Sequence, residues 1–398
     1  MRASDEIFAR LAEVADDPNR YAEAWKKAHA RKVIGTFPMN FPTELVHAAG
    51  ALPVVVQESG QPITLGRTLL FEFYCGYTRS LTDQAMTGQL EVFDAFFLVD
   101  HCVALLGAAD AMRFELTDKP IFLAQYMASM DEAWNVPEIR KQIDLLRAQL
   151  EDFCGVKIPD AAIAHSIRLY NRNRQLLRQV YDLRRAGRIR ITAGQMQVLV
   201  KSSMVMDIED HTSLLADYIA ALEQENGFGE DLVKLHLSGH FCHAPPTALL
   251  DMIESCGAVV VDDDLFAGFR YISTDVPETG DPADGLTRWY FDRNTNVPCS
   301  TQAQKTVDWE TYLVNSLEKS GAEGVIILMA KFCEPHMLYY PELRKELDRC
   351  QIPHLLIETE HLGLPLEQLR TRVEALLERV SRGAMASPKP AQHLQPHQ

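Results

Sequence analysis

The sequence predicts an α/β protein with two parallel-sheet halves joined by a helical stretch. Three observations carry this. Short apolar runs of strand length alternate with helix-patterned segments over residues 31–135. The same alternation returns over 227–382. Between them, 136–226 shows long helical periodicity and little strand signal. Strands that alternate with helices imply parallel pairing, because each crossover must return the chain to the same end of the sheet.

Taken in order, residues 1–30 read as helix, with Ile7, Leu11, Val14, Ala22 and Trp25 near helical spacing. RKVIGTF (31–37) reads as a strand. Pro42 suits the first turn of the next helix and Gly50 its stop. LPVVVQ (52–57), FDAFFLVD (93–100) and KPIFLAQ (119–125) complete four strands, with SLTDQAMTGQL a helix between them. The middle section holds three helical patterns: VPEIRKQIDLLRAQLEDFCG, DAAIAHSIRLYNRNRQLLRQVYDLRRAG and EDHTSLLADYIAALEQENG. The second half places strands at VKLHLSG (233–239), AVVVDDD (258–264), AEGVIILMA (322–330) and IPHLLIETE (352–360). Helices follow at PPTALLDMIESCG, WETYLVNSLEKSG, PELRKELDRCQ and EQLRTRVEALLERVSRG. The organisation expected is therefore an N-terminal helix plus first α/β domain (1–135), a helical bridge (136–226) and a second α/β domain (227–382). The Pro-, Gln- and His-rich tail at 383–398 is expected to be disordered.

Composition narrows the function. The chain has 398 residues, 47% of them hydrophobic, enough to bury more than one core. Its 39 basic and 55 acidic residues give a net charge of −16, which lends a nucleic-acid role little electrostatic support. The start, MRASDEIFARLAEVADDPNR, has no apolar core of a secretory signal, and no stretch has the length and apolarity of a membrane span. Eight cysteines without an export signal point to reduced thiols and a cytoplasmic protein. No GxxxxGK[ST] loop and no strand-following GxGxxG is present, so nucleotide binding by those means is not expected. GxSxG and HExxH are also missing.

The chemistry-bearing residues cluster at expected strand ends. Cys75 in FEFYCGYTRS, Cys102 in FLVDHCVALL and Cys333 in ILMAKFCEPH each follow an apolar run and precede a polar or helix-starting segment. Side chains at the carboxyl ends of parallel strands share a crevice. Three thiolates there form an incomplete metal site, with one position left for solvent or substrate. Soft thiolates suit an iron–sulfur cluster, zinc or copper(I), and three cysteines alone do not choose among them. The competing reading is three buried apolar cysteines, as expected for most of Cys154, Cys242, Cys256, Cys299 and Cys350. Cys242 is either a fourth ligand or a turn cysteine. Arg79 would lie beside the thiolates. His101, His240 and His243 are candidate proton donors. Asp262, Asp263 and Asp264 either bind a cation or cap a following helix. An arginine stripe (Arg168, Arg172, Arg174, Arg178, Arg184, Arg185, Arg188, Arg190) either meets phosphates or forms a solvated helix face.

In order along the chain, ELVHAAGALPVVV, FEFYCGYTRS, FLVDHCVALL, AEGVIILMAKFCEPHMLYYPELRKEL and IPHLLIETE resemble the 2-hydroxyacyl-CoA dehydratase / benzoyl-CoA reductase family. IRLYNRNRQLLRQVYDLR, SGHFCHAPP and CGAVVVDDDLFAGFR resemble most the smaller, C-type catalytic subunit of its ATP-dependent benzoyl-CoA reductases. The resemblance implies two flavodoxin-like, doubly wound domains around a 4Fe–4S cluster held by Cys75, Cys102 and Cys333. It further implies a second, related cluster-bearing subunit, a separate ATP-hydrolysing activator that donates electrons, and an acyl-CoA substrate. In the reductase branch the reaction is dearomatisation of a benzoyl-CoA by successive electron and proton transfers. In the dehydratase branch it is elimination of water to a 2-enoyl-CoA. A structural metal-binding scaffold is the reading from another class. Arg79, Arg172 and Arg178 are the residues that would meet the CoA phosphates.

Overall fold

The computed structural model describes residues 2–225, 232–239, 242–305 and 307–385, with side chains as far as residue 382. Its eight strands fall where the apolar runs do. They are β1 (Val33–Thr36), β2 (Leu52–Val55), β3 (Ala95–Val99), β4 (Ile121–Ala124), β5 (Val233–Gly239), β6 (Ala258–Asp263), β7 (Gly324–Ala330) and β8 (His354–Thr359). The central strands β1, β3 and β7 are buried along their whole length, as continuous Val/Ile/Leu/Phe runs require when helices cover both faces of a sheet.

Two four-stranded parallel sheets result, ordered β2-β1-β3-β4 and β6-β5-β7-β8. Both have the 2-1-3-4 order of flavodoxin-like domains, as the family resemblance implied. In such a sheet the chain reverses direction between the first and third strands, and the crevice opens at their carboxyl ends. The first crevice therefore lies past β1 and β3, and the second past β5 and β7.

The helical middle is built from Asn135–Cys154, Asp160–Arg185, Ala193–Ser203 and Ile208–Leu222. Its long member, Asp160–Arg185, carries the arginine stripe as far as Arg185. Arg174 Nη2 lies 2.6 Å from Glu44 Oε1 of helix Thr43–Ala48 in the first half. Arg184 Nη2 lies 2.8 Å from Glu254 Oε1 of helix Thr247–Ser255 in the second half, and Arg185 pairs with Asp262 at the end of β6. Arg178 bonds Asp275 and the Ile272 carbonyl. Four of the eight arginines are thus clamps that tie one helix to both halves.

Residues 1–30 form two helices, Ala3–Asp16 and Pro18–His29. The break has a local cause: Asp17 caps the second helix, accepting from the Arg20 amide, and Pro18 takes its first position. The sequence reading named no helix at Val103–Glu115, Ala193–Ser203, Phe269–Ile272 or Pro282–Asn296; of these, Ala193–Ser203 and Pro282–Asn296 carry the same signals in Thr192 with Gln195 and in Asp281 with Pro282. The last helix, Leu366–Met385, runs past residue 382; the tail from 386 lies outside the described residues. No helix among the described residues is long and apolar enough to cross a membrane.

Candidate functional site

Each of the three cysteines takes the position immediately before a helix. Cys75 precedes Gly76–Met86, Cys102 precedes Val103–Glu115 and Cys333 precedes Glu334–Arg349. A helix start exposes unpaired N–H groups and a positive dipole end, which favours a thiolate. The amides of Thr78, of Ala104 and Leu105, and of His336 favour the anionic form of their respective sulfurs, although none closes into a regular side-chain cap. Cys102 and Cys333 follow β3 and β7, the third strand of each sheet. The two crevices are therefore armed at equivalent places.

Cys75 departs from the expected placement. FEFYC is not a strand end but the close of the loop that runs on from β2. Phe71 and Phe73 are 67% and 60% exposed and stack with ring centres 5.4 Å apart, and Tyr74 continues the stack. The aromatic run satisfies itself by stacking at the surface, so apolar character alone misled the reading.

The three thiols act on one another electrostatically. The charge of Cys75 acts on Cys102 and Cys333, and that of Cys102 acts on Cys333. Burial and these like charges push the Cys102 thiol up to about 12 and the Cys333 thiol well above its ordinary range. Two further cysteines join them. Cys242 is raised in the same way by burial and by Cys102, Cys75 and Cys333. Cys299 is buried, 3.7 Å from His101 Nε2 and 3.2 Å from Thr301 Oγ1, and acts on Cys102, Cys242 and Cys333. Cys154, Cys256 and Cys350 have local partners elsewhere.

Cys75 differs in kind. Burial would raise its thiol, but the hydrogen bond and charge of His243, with help from Thr78, bring it below the ordinary value. His243 Nδ1 lies 2.9 Å from Glu58 Oε2, and Glu58 Oε1 lies 2.6 Å from His361 Nδ1. Burial opposes the charge on each of these groups and is outweighed. Glu58 is held down at about 2 by His243 and His361, and His243 is held up at about 10 by Glu58 and Cys75. Neither Glu58 nor His361 stood out in the sequence. Both lie just past strand ends, after β2 and β8, and that position was the available signal.

His101 sits buried between Asn40 Nδ2 (3.4 Å) and Thr301 Oγ1 (3.3 Å). Burial, with Arg293 and Arg270 nearby, holds its imidazole down at about 3, so it stays neutral near pH 7. His240 lies outside the described residues. Arg79 is half-buried near His361 and Lys331. Arg172 is exposed, and Arg178 is committed to Asp275 and Ile272. The aspartate run is structural. Asp262 pairs with Arg185. Asp263 accepts from Tyr181 and the Leu265 and Phe269 amides. Asp264 accepts from Ser238, the Gly239 amide and Trp309.

Beside the thiols lies a cavity of about 630 Å³ whose walls include Glu58, Gln197, Lys201, Cys242, His243 and His361. Among the described residues, no three Cys, His, Asp or Glu side chains converge tightly enough to hold a single metal ion. Three thiols at helix starts are the soft donor type that iron–sulfur groups, zinc and copper(I) take.

Two 2-1-3-4 sheets, each with a cysteine just past its third strand, define a two-domain α/β protein. The chain belongs to the 2-hydroxyglutaryl-CoA dehydratase, D-component family, whose sequence model matches residues 38–380. It is 27% identical over 360 residues to a benzoyl-CoA reductase subunit of Thauera aromatica, covering 88% of this chain and 92% of that relative. It is 27% identical over 383 residues to the (R)-phenyllactyl-CoA dehydratase beta subunit of Clostridium sporogenes, 95% of this chain and 100% of the relative. The beta subunit of (R)-2-hydroxyglutaryl-CoA dehydratase from Acidaminococcus fermentans is 25% identical over 356 residues, 88% of this chain and 93% of the relative.

Proposed function

We propose that this chain is a cluster-bearing catalytic subunit of an ATP-dependent reductase acting on benzoyl-CoA or a substituted benzoyl-CoA. The observation that carries the reading is that Cys75, Cys102 and Cys333, drawn from both α/β halves, each take a helix start and act on one another's charge. The similarity to a benzoyl-CoA reductase subunit supports the substrate class. These cysteines would hold a 4Fe–4S cluster. When bound, such a cluster supplies electrons singly at low potential.

The chain's own residues would do the remaining work. Burial excludes water from Cys75, Cys299 and His101, which strengthens every fixed dipole and charge around them. Ring reduction takes up protons with electrons, so a positioned donor is required. His243, cationic beside Glu58, offers a proton from its ring, and neutral His101 offers a ring N–H. Arg79 and Arg172 remain available to CoA phosphates, whereas Arg178 is already bonded. In this reading ATP hydrolysis would fall to a separate activator. A second, related subunit would complete the enzyme, since the relatives are themselves named as subunits. The reading places the enzyme in the cytoplasm.

The test is anaerobic turnover of the reconstituted chain with its partner subunit, activator, ATP and a low-potential reductant. A dearomatised CoA ester is expected from at least one aromatic acyl-CoA. One observation favours a second reading: the phenyllactyl-CoA dehydratase beta subunit matches over its full length. Dehydration of a 2-hydroxyacyl-CoA, with aromatic esters untouched, would establish that reading and overturn the first.

A further inference from the structure

We propose that the cavity of about 630 Å³ beside helix Ala193–Ser203 is the berth of the substrate's pantetheine arm, where the side-chain oxygens of Gln57 and Gln197 accept N–H groups from the amides of that arm. The inference rests on the acyl-CoA reading above and adds which part of the thioester this chain holds, and where.

The position suits a ligand. The cavity wall is drawn from residues 54–61, which form the end of β2 and the stretch leaving it, and from residues 242–247, which follow β5. Ligands of open parallel sheets bind at such carboxyl ends. Helix Ala193–Ser203 supplies a further wall. Gln197 and Lys201 stand four residues apart on it, so they share one face, and both line the cavity.

The two glutamines carry the inference. Gln197 is 5% exposed, and its Nε2 donates to the Pro245 carbonyl at 2.9 Å. Gln57 Nε2 donates to the Lys201 carbonyl at 3.3 Å. A carbonyl can only accept, so each amide nitrogen must face its carbonyl, and the orientation of both side chains is fixed. Each side-chain oxygen is left over as an acceptor, buried and without a partner among the described residues. Gln84 fastens Gln57 further, since its own Nε2 donates to the Gln57 carbonyl at 3.0 Å. Folded proteins pair nearly all buried polar atoms. Two fixed, unpaired acceptors at one cavity therefore call for a ligand that donates.

Charge narrows the kind of ligand. Asp16, Asp17 and Glu58 stand in the same wall, so a phosphate inside would meet like charge. Burial disfavours the charge on Lys201, the lysine of the wall, and holds its pKa below the ordinary value. A neutral chain of amides and methylenes meets both needs. It brings N–H groups to Gln57 and Gln197, and apolar length to Phe93, Met204 and Phe266. Within an acyl-CoA that is the pantetheine arm and not the nucleotide.

The test is calorimetric titration of the anaerobically reconstituted chain, alone and with its partner subunit. The probes are benzoyl-CoA, phenyllactyl-CoA and adenosine diphosphate, the last carrying nucleotide and phosphates without the arm. Gln197→Met and Gln57→Met each remove an acceptor at nearly constant volume. Each is expected to weaken whichever ester wild type binds by about tenfold, as loss of a buried hydrogen bond does, with any affinity for adenosine diphosphate unchanged. Amide hydrogen exchange over residues 193–203 should slow when the ester is added and not when adenosine diphosphate is. Wild-type affinity for the ester in both variants would overturn the inference, leaving the two oxygens to water and the acyl-CoA reading intact. Equal weakening of ester and adenosine diphosphate would overturn it as well, by putting the nucleotide in the cavity. Should the variants fail to fold, exchange in wild type decides, and unslowed exchange overturns the inference. A wild type that binds neither ester, with or without its partner subunit, would overturn the acyl-CoA reading and the inference with it.

Discussion

The two α/β halves share a strand order but arm their strand ends differently. The first brings Cys75, Cys102 and the carboxylate of Glu58 to the crevice. The second brings Cys333, Cys242 and two histidines, His243 and His361, both held above their ordinary pKa. The first half supplies the carboxylate of Glu58 and the second the two histidines whose positive charge it holds. The lesson is that repeated topology fixes where a site forms, whereas its electrostatic asymmetry comes from a few residues past the strand ends. Neither half makes the site alone.

If the halves depend on each other, the helix that ties them should matter to both. Arg174 and Glu44 are 8% and 1% exposed at their side chains, and Arg184 and Glu254 are 0% and 12% exposed. Removing one partner of a buried pair strands the other charge, at about 3–5 kcal/mol. Arg174→Ala and Arg184→Ala should each lower the urea-unfolding free energy by that order. A cost below about 1 kcal/mol for either would break the comparison, by showing that its half is held by apolar packing alone.

A smaller effect contrasts the helical layer with the crevice. His211 is fully buried, accepts from Asn173 Nδ2 at 2.8 Å and keeps its other nitrogen within 3.0 Å of Ser202 Oγ and 3.2 Å of the Leu199 carbonyl. That pattern fits a neutral ring, and burial holds it down at about 4, against an ordinary 6.5. The folded state therefore resists protonation. The stability this histidine contributes is fully present above pH 6.5 and is lost as pH falls toward 4. At about 1.4 kcal/mol per pH unit the loss is on the order of 3 kcal/mol. Unfolding by urea at pH 7 and pH 5 should show wild type losing more stability than His211→Gln. Equal losses would contradict the assignment. The crevice histidines are of the opposite kind, kept charged by carboxylate and thiolate.

Much of this was legible from residues alone. The central strands were visible because parallel strands covered on both faces must be continuously apolar, as AFFLV and GVIILMA show. Cys102 and Cys333 were legible because each closes such a run. Cys75 was found for a partly wrong reason, since FEFY is a surface stack and not a strand. The arginine stripe was visible, but its partners Glu44, Glu254 and Asp275 lie far away in sequence, so its clamping role was not. The same holds for Glu58 and His361, which meet only when the halves close.

The most direct test of a shared, two-half centre is iron and acid-labile sulfide per chain after strictly anaerobic reconstitution, compared across wild type, Cys102→Ala and Cys333→Ala. The account predicts about four of each in wild type, as a cubane requires, and comparable, severe loss in both variants although they remove sulfurs from different halves. Negligible iron in wild type, or loss in one variant with full retention in the other, would contradict it.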